Sequence, residues 1–163
     1  MKTLLILRHA KSSWKDPGMT DHDRPLNARG KQDAPRIGQL LRDQGLPPDL
    51  ILSSTAKRAR STAKRVVEGG ELACSPQLLD QLYLASAETY IEVLRQQRAE
   101  YERILVVGHN PGLEDLVQSL TGTSLALPTA ALVQVEFAID TWFELPGVGA
   151  GKLVAHWEPR DLS

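Results

Sequence analysis

Two histidines in this sequence lie one residue beyond runs of mostly apolar residues. Residues 3–7 are followed by Arg8 and His9, and the apolar run at residues 103–107 ends one residue before His109. A short apolar run bounded by polar residues is typical of a strand that is buried on both faces. A neutral imidazole can act as a nucleophile, and the rigid donor fork of arginine matches the oxygens of a phosphate. These residue types therefore predict phosphoryl chemistry at the ends of two buried strands.

A further arginine is expected to reach the same place. Residues 49–52 are predicted to form a strand, and residues 56–68 the helix that follows it. Arg58 lies in the first turn of that helix, where free amide groups and the helix dipole favour anions. We therefore expect Arg58 to be a phosphate ligand. The neighbouring Ser54 is expected to cap the helix rather than to bind phosphate.

The elements that must position these residues alternate between strand and helix. Asn27 is a suitable N-cap for a first helix, in which Pro35 either produces a kink or moves the start of the helix to Asp33. Residues 71–75 are predicted to form a short strand with Cys74 as a buried member, and residues 76–85 a loop. Ser86 is expected to cap the helix that follows this loop. Asn110 is expected to cap the helix after His109, with proline at its first position.

The C-terminal part of the chain departs from the strand–helix alternation of the preceding segments. Residues 132–137 alternate between apolar and polar side chains, residues 152–157 form a further predicted strand, and a glycine-rich turn lies between them. A chain of strand–helix units with a hairpin-like end predicts an α/β fold, with a mostly parallel sheet and an antiparallel edge strand. In such a sheet, ligands bind at the carboxyl ends of the strands.

Size and composition narrow the classes of protein further. The 163 residues fit one domain spanning residues 1–163, and a formal net charge of −1 argues against a general nucleic-acid or membrane binder. The single cysteine, Cys74, cannot form an internal disulfide, which favours a cytoplasmic location. The first apolar run is too short for the core of a signal peptide.

The predicted site therefore contains Arg8, His9, Arg58 and His109. One imidazole can attack phosphorus in line while the other donates a hydrogen bond to the charged transition state. The nearby arginines should lower the pKa of His9 and keep it neutral. Chemistry alone leaves open which histidine attacks. Two histidines without a third ligand at suitable spacing argue against a zinc site, and no cofactor is expected.

Several motifs in this order resemble the histidine phosphatase superfamily, whose members are phosphoglycerate mutase-like. The resemblance is greatest to its small bacterial SixA-type phosphohistidine phosphatases. It rests on Arg8-His9-Ala10-Lys11-Ser12-Ser13-Trp14, Asp21-x-x-Arg24-Pro25-Leu26, residues 54–63, residues 107–112 and residues 127–131.

The resemblance implies a three-layer α/β/α fold and particular roles for the site residues. His9 would carry the phosphoryl group, while Arg8, Arg58, His109 and Asn110 would bind it, without a metal. Ala10 departs from the family pattern, which usually has glycine there. Many members also carry an acidic residue in a cap inserted after the third strand, for which residues 75–87 leave no room. The remaining candidates for a proton donor are Asp80, the one acid in that gap, and Asp21 in the long loop, whose placement favours it over Asp23.

The missing cap predicts the substrate class. Imidazole, with a pKa near 6.5, leaves phosphorus with far less help from an acid than an alkoxide does. An open site also suits a phosphorylated side chain on another protein. The expected function is dephosphorylation of phosphohistidine on a protein, such as a phosphotransfer domain. The alternatives are a phosphatase for small phosphate monoesters and a non-catalytic module that binds phosphoproteins.

Overall fold

The structure, a computed structural model, describes residues 1–162. Six strands form one mixed sheet in the order β3-β2-β4-β1-β5-β6. The strands are β1 (Lys2–Arg8), β2 (Leu50–Ser54), β3 (Pro76–Leu79), β4 (Arg103–Gly108), β5 (Leu132–Phe137) and β6 (Lys152–Trp157). The helices are α1 (Ala28–Asp43), α2 (Lys57–Gly70), α3 (Ala87–Arg95) and α4 (Gly112–Thr121). Short 3-10 turns lie in the connecting segments.

The strand β1 lies in the interior of the sheet and separates two hydrophobic cores. It pairs in parallel with β4 on one side and in antiparallel fashion with β5 on the other. Successive side chains of a strand point to opposite faces, so Leu4 and Ile6 enter one core while Leu5 and Leu7 enter the other. All four side chains are fully buried, which explains why the strand reads as a continuous apolar run.

The helices cover both faces of the sheet and complete the three layers. The pair α1 and α2 covers one face, and α3 and α4 cover the other. The first pair approaches closely at Gly38, where a Cβ would lie 2.1 Å from the carbonyl oxygen of Val66. The expected α/β class, the mostly parallel sheet and the antiparallel edge strand are confirmed. None of the helices within residues 1–162 combines the length and apolar character needed to cross a bilayer.

The first residue of α1 shows that Pro35 does not shift the start of this helix to Asp33. Asn27 caps the helix by accepting a hydrogen bond of 2.9 Å from the amide of Gly30, so α1 begins at Ala28. Pro35 lies inside the helix and does not mark its start. The predicted cap at Ser86 is also confirmed, because its hydroxyl accepts from the amide of Thr89.

The third strand lies later in the chain than the sequence predicted. Residues 71–75 are not a strand: Glu71 ends α2 in the left-handed conformation, and β3 begins at Pro76 inside the predicted loop. Proline cannot donate to a ladder, but it is tolerated here because β3 is an edge strand. Cys74 is consequently a half-buried residue outside the sheet, and its thiol contacts the carbonyl oxygen of Pro48.

The predicted cap at Asn110 is wrong. The helix α4 begins at Gly112 with Pro111 at the N-cap position, and no side chain caps it. The side-chain nitrogen of Asn110, Nδ2, donates instead to the carbonyl oxygen of Leu127 at 2.8 Å. A contact with a segment distant in the chain therefore replaces the local cap that the sequence suggested.

Candidate active site

The structure brings the predicted site residues to one cavity at the carboxyl ends of β1, β2 and β4. The cavity has a volume of about 210 Å³. This is smaller than the pockets of roughly 300–1,000 Å³ that usually enclose small ligands. Its lining residues are Arg8, His9, Lys11, Ser12, Trp14, Arg24, Arg58, Leu84, His109, Asn110 and Thr129.

His9 is held with one ring nitrogen available for reaction. Its Nδ1 lies 2.8 Å from the carbonyl oxygen of Ala10, which can only accept a hydrogen bond. Nδ1 therefore carries the hydrogen of the neutral ring, and the lone pair resides on Nε2. Burial lowers the pKa of His9 to about 4, and the positive charges of Arg58 and Arg8 add to this effect. His9 is thus an uncharged imidazole at neutral pH, as its neighbouring arginines led us to expect.

The backbone around His9 is fixed by contacts with two other elements. The amide of His9 donates to the carbonyl oxygen of Gly108 on β4, and the amide of Ala10 donates to the hydroxyl of Thr62 on α2. Ala10 is fully buried and is not among the residues with positive φ. Its backbone therefore does not require glycine, and the departure at Ala10 is compatible with the site.

His109 faces His9 across the cavity, with 5.3 Å between the ring centroids. Its Nε2 lies 2.8 Å from the hydroxyl oxygen of Ser54, whereas its buried Nδ1 has no hydrogen-bond partner within residues 1–162. Burial lowers the pKa of His109 to about 3, and the nearby His9 and Arg58 lower it further. A buried ring nitrogen without a partner is costly, so such a group calls for an explanation.

The two predicted arginines are anchored through some of their donors and leave others free. Arg8 donates from Nη1 to the carbonyl oxygen of Leu127 at 3.0 Å. Arg58 donates to the backbone oxygen and the carboxylate of Asp21 at 2.7 and 3.0 Å. The Nε of each arginine is buried without a hydrogen-bond partner in the described part of the chain. Arg8, Arg58 and His109 all line the cavity, and two guanidinium groups beside an imidazole suit it to an anion.

A third arginine, Arg24, lies at the same cavity and was not assigned a role from the sequence. Its Nη2 donates to the hydroxyl of Ser12 at 2.9 Å, and its guanidinium carbon lies 3.4 Å from the centroid of the Trp14 ring. Its Nε is 3.3 Å from an oxygen of Asp21. The spacing Asp21-x-x-Arg24 was visible in the sequence, but only the fold shows that Asp21 contacts both Arg24 and Arg58.

Asp21 and Asp80, the two candidates for a proton donor, occupy different settings. Asp21 accepts hydrogen bonds from Tyr83 and Arg58, and these contacts and the charge of Arg24 hold its pKa below the usual range. It is therefore ionised at neutral pH, which is unfavourable for a proton donor. Asp80 is exposed at the start of a 3-10 turn and does not line the cavity.

Asn110 reaches the cavity, but its amide is already committed in part. Its Nδ2 donates one hydrogen to the carbonyl oxygen of Leu127, which also accepts from Arg8. The buried Oδ1 of Asn110 has no hydrogen-bond partner among residues 1–162. One amide hydrogen remains for an anion. Within those residues, no group of three or more His, Cys, Asp or Glu side chains is arranged to hold a metal.

Ser54 and Tyr83 are the other residues at the site whose roles the sequence did not reveal. The expected helix cap at Ser54 is wrong, because α2 begins at Lys57 with Ala56 at the N-cap position and no capping side chain. The Ser54 hydroxyl instead accepts from the amide of Ala56 and contacts His109. The Tyr83 ring packs edge-on against His109, with 5.6 Å between centroids, while its hydroxyl donates to Asp21. In the sequence, only the position of Ser54 at the end of a predicted buried strand indicated that it could reach the site.

Comparison with known proteins identifies the family. Residues 4–83 match the model of the histidine phosphatase superfamily, branch 1. An uncharacterized protein of Mycobacterium tuberculosis is 33% identical, over 93% of this chain and 89% of that protein.

Solved structures of SixA proteins share the whole fold. SixA of Agrobacterium tumefaciens is 31% identical with a TM-score of 0.83, covering 97% of this chain and 98% of that one. A SixA protein histidine phosphatase complexed with tungstate gives a TM-score of 0.84 at 22% identity, covering 98% of each chain. The sequence identity, the coverage and the shared fold lead to one conclusion: this chain belongs to the histidine phosphatase superfamily, in its SixA-type branch.

Proposed function

We propose that this protein is a phosphohistidine phosphatase that removes the phosphoryl group from a histidine on another protein. His9 is the nucleophile and carries the phosphoryl group in a covalent intermediate, while Arg8, Arg58 and His109 bind its oxygens. The family to which the chain belongs and its likeness to SixA proteins support this proposal. No metal takes part in the proposed reaction.

The observation that carries the proposal is the pairing of an uncharged His9 with two arginines and a second histidine around one small cavity. Nε2 of His9 holds a lone pair because Nδ1 faces a carbonyl oxygen. The buried Nε atoms of Arg8 and Arg58 and the Nδ1 of His109 have no hydrogen-bond partner within residues 1–162. A phosphoryl group supplies the missing acceptors, because each of its oxygens can accept several hydrogen bonds.

The reaction then proceeds in two displacements at phosphorus. The lone pair of His9 Nε2 forms a bond to phosphorus as the bond to the substrate imidazole breaks, and the leaving nitrogen takes up a proton from solvent. Water next attacks the phosphoryl group on His9, which releases inorganic phosphate and restores the imidazole. Because the first step transfers the group from one imidazole to another, the bond broken and the bond formed are of the same kind. The free-energy change of this first step is therefore small.

The surroundings of the cavity favour an imidazole as the leaving group. Residues 80–86 join β3 directly to α3, so no cap domain is inserted at this point. The carboxylate of Asp21 is ionised and bound to Arg58 and Tyr83. An alkoxide would need a strong acid, whereas imidazole, with a pKa of about 6.5, does not. This consideration places a small phosphate monoester second among the candidate substrates.

The test uses a phosphotransfer domain phosphorylated on histidine, with EDTA present throughout. The wild type is expected to release phosphate, and rapid quenching should trap the phosphoryl group on His9. His9→Gln should abolish both signals, whereas His156→Gln, which changes a histidine on the edge strand β6, should retain them. Binding without turnover would instead indicate a phosphoprotein-binding module. Faster turnover of sugar phosphates than of the phosphotransfer domain would contradict the proposed substrate.

A further inference from the structure

Two large apolar side chains stand exposed at the mouth of the cavity. The side chain of Trp14 is 74% exposed and that of Leu84 is 57% exposed, yet both line the cavity that contains His9 and His109. They come from different connections, Trp14 from the segment between β1 and α1 and Leu84 from the segment between β3 and α3. Isolated exposed apolar residues are common on protein surfaces, but two at one binding cavity indicate an interaction site.

Trp14 is held in place and does not move freely in solvent. The guanidinium of Arg24 stacks on its ring at 3.4 Å, and Arg24 is itself buried and bonded to Ser12. One face of the indole is therefore fixed by protein, while most of the side chain remains exposed to solvent. A rigid, exposed tryptophan loses little conformational entropy on binding, which is the property of an anchor residue at an interface.

Leu84 is presented to solvent by an unusual backbone conformation. Its φ is +51°, in the left-handed region that residues with a Cβ rarely adopt. The preceding Tyr83 contributes to the site through Asp21, and the following Ala85 is buried in the core. The conformation at Leu84 thus lies between two anchored residues and leaves its own apolar side chain at the cavity mouth.

The size of the cavity determines which part of a substrate can meet these side chains. A volume of about 210 Å³ accommodates a phosphoryl group and little beyond the group that carries it. The rest of a substrate must lie over the mouth, against Trp14, Leu84 and the exposed Lys11. A sugar phosphate offers this apolar surface hydroxyl groups and small C–H faces, whereas a protein surface offers larger apolar side chains.

We propose that Trp14 and Leu84 form a docking surface for apolar side chains next to the phosphorylated histidine of the substrate protein. This inference rests on the proposed function and deepens it. It identifies the recognition element as apolar contact outside the cavity, in addition to the charged contacts within it. Removing either anchor should weaken the reaction with a phosphoprotein far more than the reaction with a substrate that consists only of the phosphoryl group and its leaving group.

The experiment compares two substrates, a histidine-phosphorylated phosphotransfer domain and phosphoramidate. The variants are Trp14→Ala and Leu84→Asn; asparagine is chosen because it tolerates positive φ and removes the apolar surface. For each variant, the ratio of kcat/KM on the phosphoprotein to kcat/KM on phosphoramidate should fall about tenfold, as for a typical interface anchor. Taking the ratio corrects for any general disturbance of the site through Arg24.

The matched control is Phe143→Ala. Phe143 is 80% exposed but follows β5, which leaves the sheet at the edge opposite His9 because Phe137 pairs with Lys2. This variant should keep the wild-type ratio. An unchanged ratio in Trp14→Ala and Leu84→Asn, or an equal fall in Phe143→Ala, would overturn the docking surface and leave the proposed function standing. A wild type that does not dephosphorylate the phosphotransfer domain would overturn both.

Discussion

The Nε2 atom of His109 lies 2.8 Å from the hydroxyl oxygen of Ser54, and both side chains are buried. The Ser54 oxygen already accepts the amide hydrogen of Ala56. Within residues 1–162, the acceptor that the Ser54 hydroxyl hydrogen can reach is Nε2 of His109. In a neutral ring this arrangement places the hydrogen of His109 on Nδ1, the atom without a partner. We therefore expect Ser54 to hold His109 in the tautomer that can donate a hydrogen bond from Nδ1 to an anion.

Ser54→Ala should therefore lower kcat by about tenfold, the loss expected for one oriented hydrogen bond in the transition state. Nitrogen NMR shifts of His109 should report a mixture of tautomers in place of the Nδ1–H form. The matched control is Ser53→Ala, because Ser53 is equally buried and its hydroxyl donates only to the carbonyl oxygen of Ser54. Equal loss of activity in the two variants would show that Ser54 acts only through stability.

Arg58→Lys should reduce kcat by about a hundredfold, the usual cost of removing a donor aimed at a developing negative charge. A lysine at this position cannot bond Asp21 through two nitrogens and also offer a third toward the cavity. Arg60→Lys provides the comparison, since Arg60 lies on the same helix but is exposed. Steady-state kinetics of both proteins check this, and a comparable loss in Arg60→Lys would contradict it.

Stability should depend on pH through the two buried histidines. The pKa of His9 is lowered to about 4 and that of His109 to about 3, while an unfolded histidine titrates near 6.5. Between these values the unfolded chain binds protons that the folded protein does not, so the free energy of unfolding falls as the pH drops from about 6.5 toward 4. The slope approaches about 1.4 kcal/mol per pH unit for each histidine.

Chemical denaturation at several pH values between 4 and 7 measures this slope. His9→Gln should remove one contribution and make the dependence shallower, since glutamine does not titrate. His156→Gln serves as the control, because His156 lies on β6 outside the cavity. A His9→Gln variant as steep as the wild type would show that His9 is not held neutral by its surroundings.

Asp21→Asn distinguishes a proton donor from a residue that positions Arg58. The carboxylate of Asp21 is ionised and bonded to Arg58 and Tyr83, so the variant should impair anion binding through Arg58. We expect KM to rise about fivefold to tenfold, from the loss of one charge-assisted hydrogen bond, with the same effect on substrates with good and poor leaving groups. A selective loss of kcat on the poor leaving group would identify Asp21 as the acid.

The sequence by itself determined the strand ends and the chemistry they carry. Short continuous apolar runs are typical of strands that are buried on both faces, and the carboxyl ends of parallel strands meet at one edge of the sheet. The convergence of His9 and His109 was therefore predicted from the pattern. Asn27 and Ser86 were equally predictable, because a helix cap depends on residues within one turn. Local physics and hydrophobic periodicity were sufficient for these features.

Tertiary structure decided everything that depends on contacts between distant segments. The position of β3 followed from pairing with β2 and not from local propensity, and Asn110 bonds Leu127 where a local cap was expected. The contacts of Ser54 with His109 and of Asp21 with Arg58 span 55 and 37 residues. No local pattern encodes such pairs, because the energy that selects them is gained only when the whole sheet has brought them together.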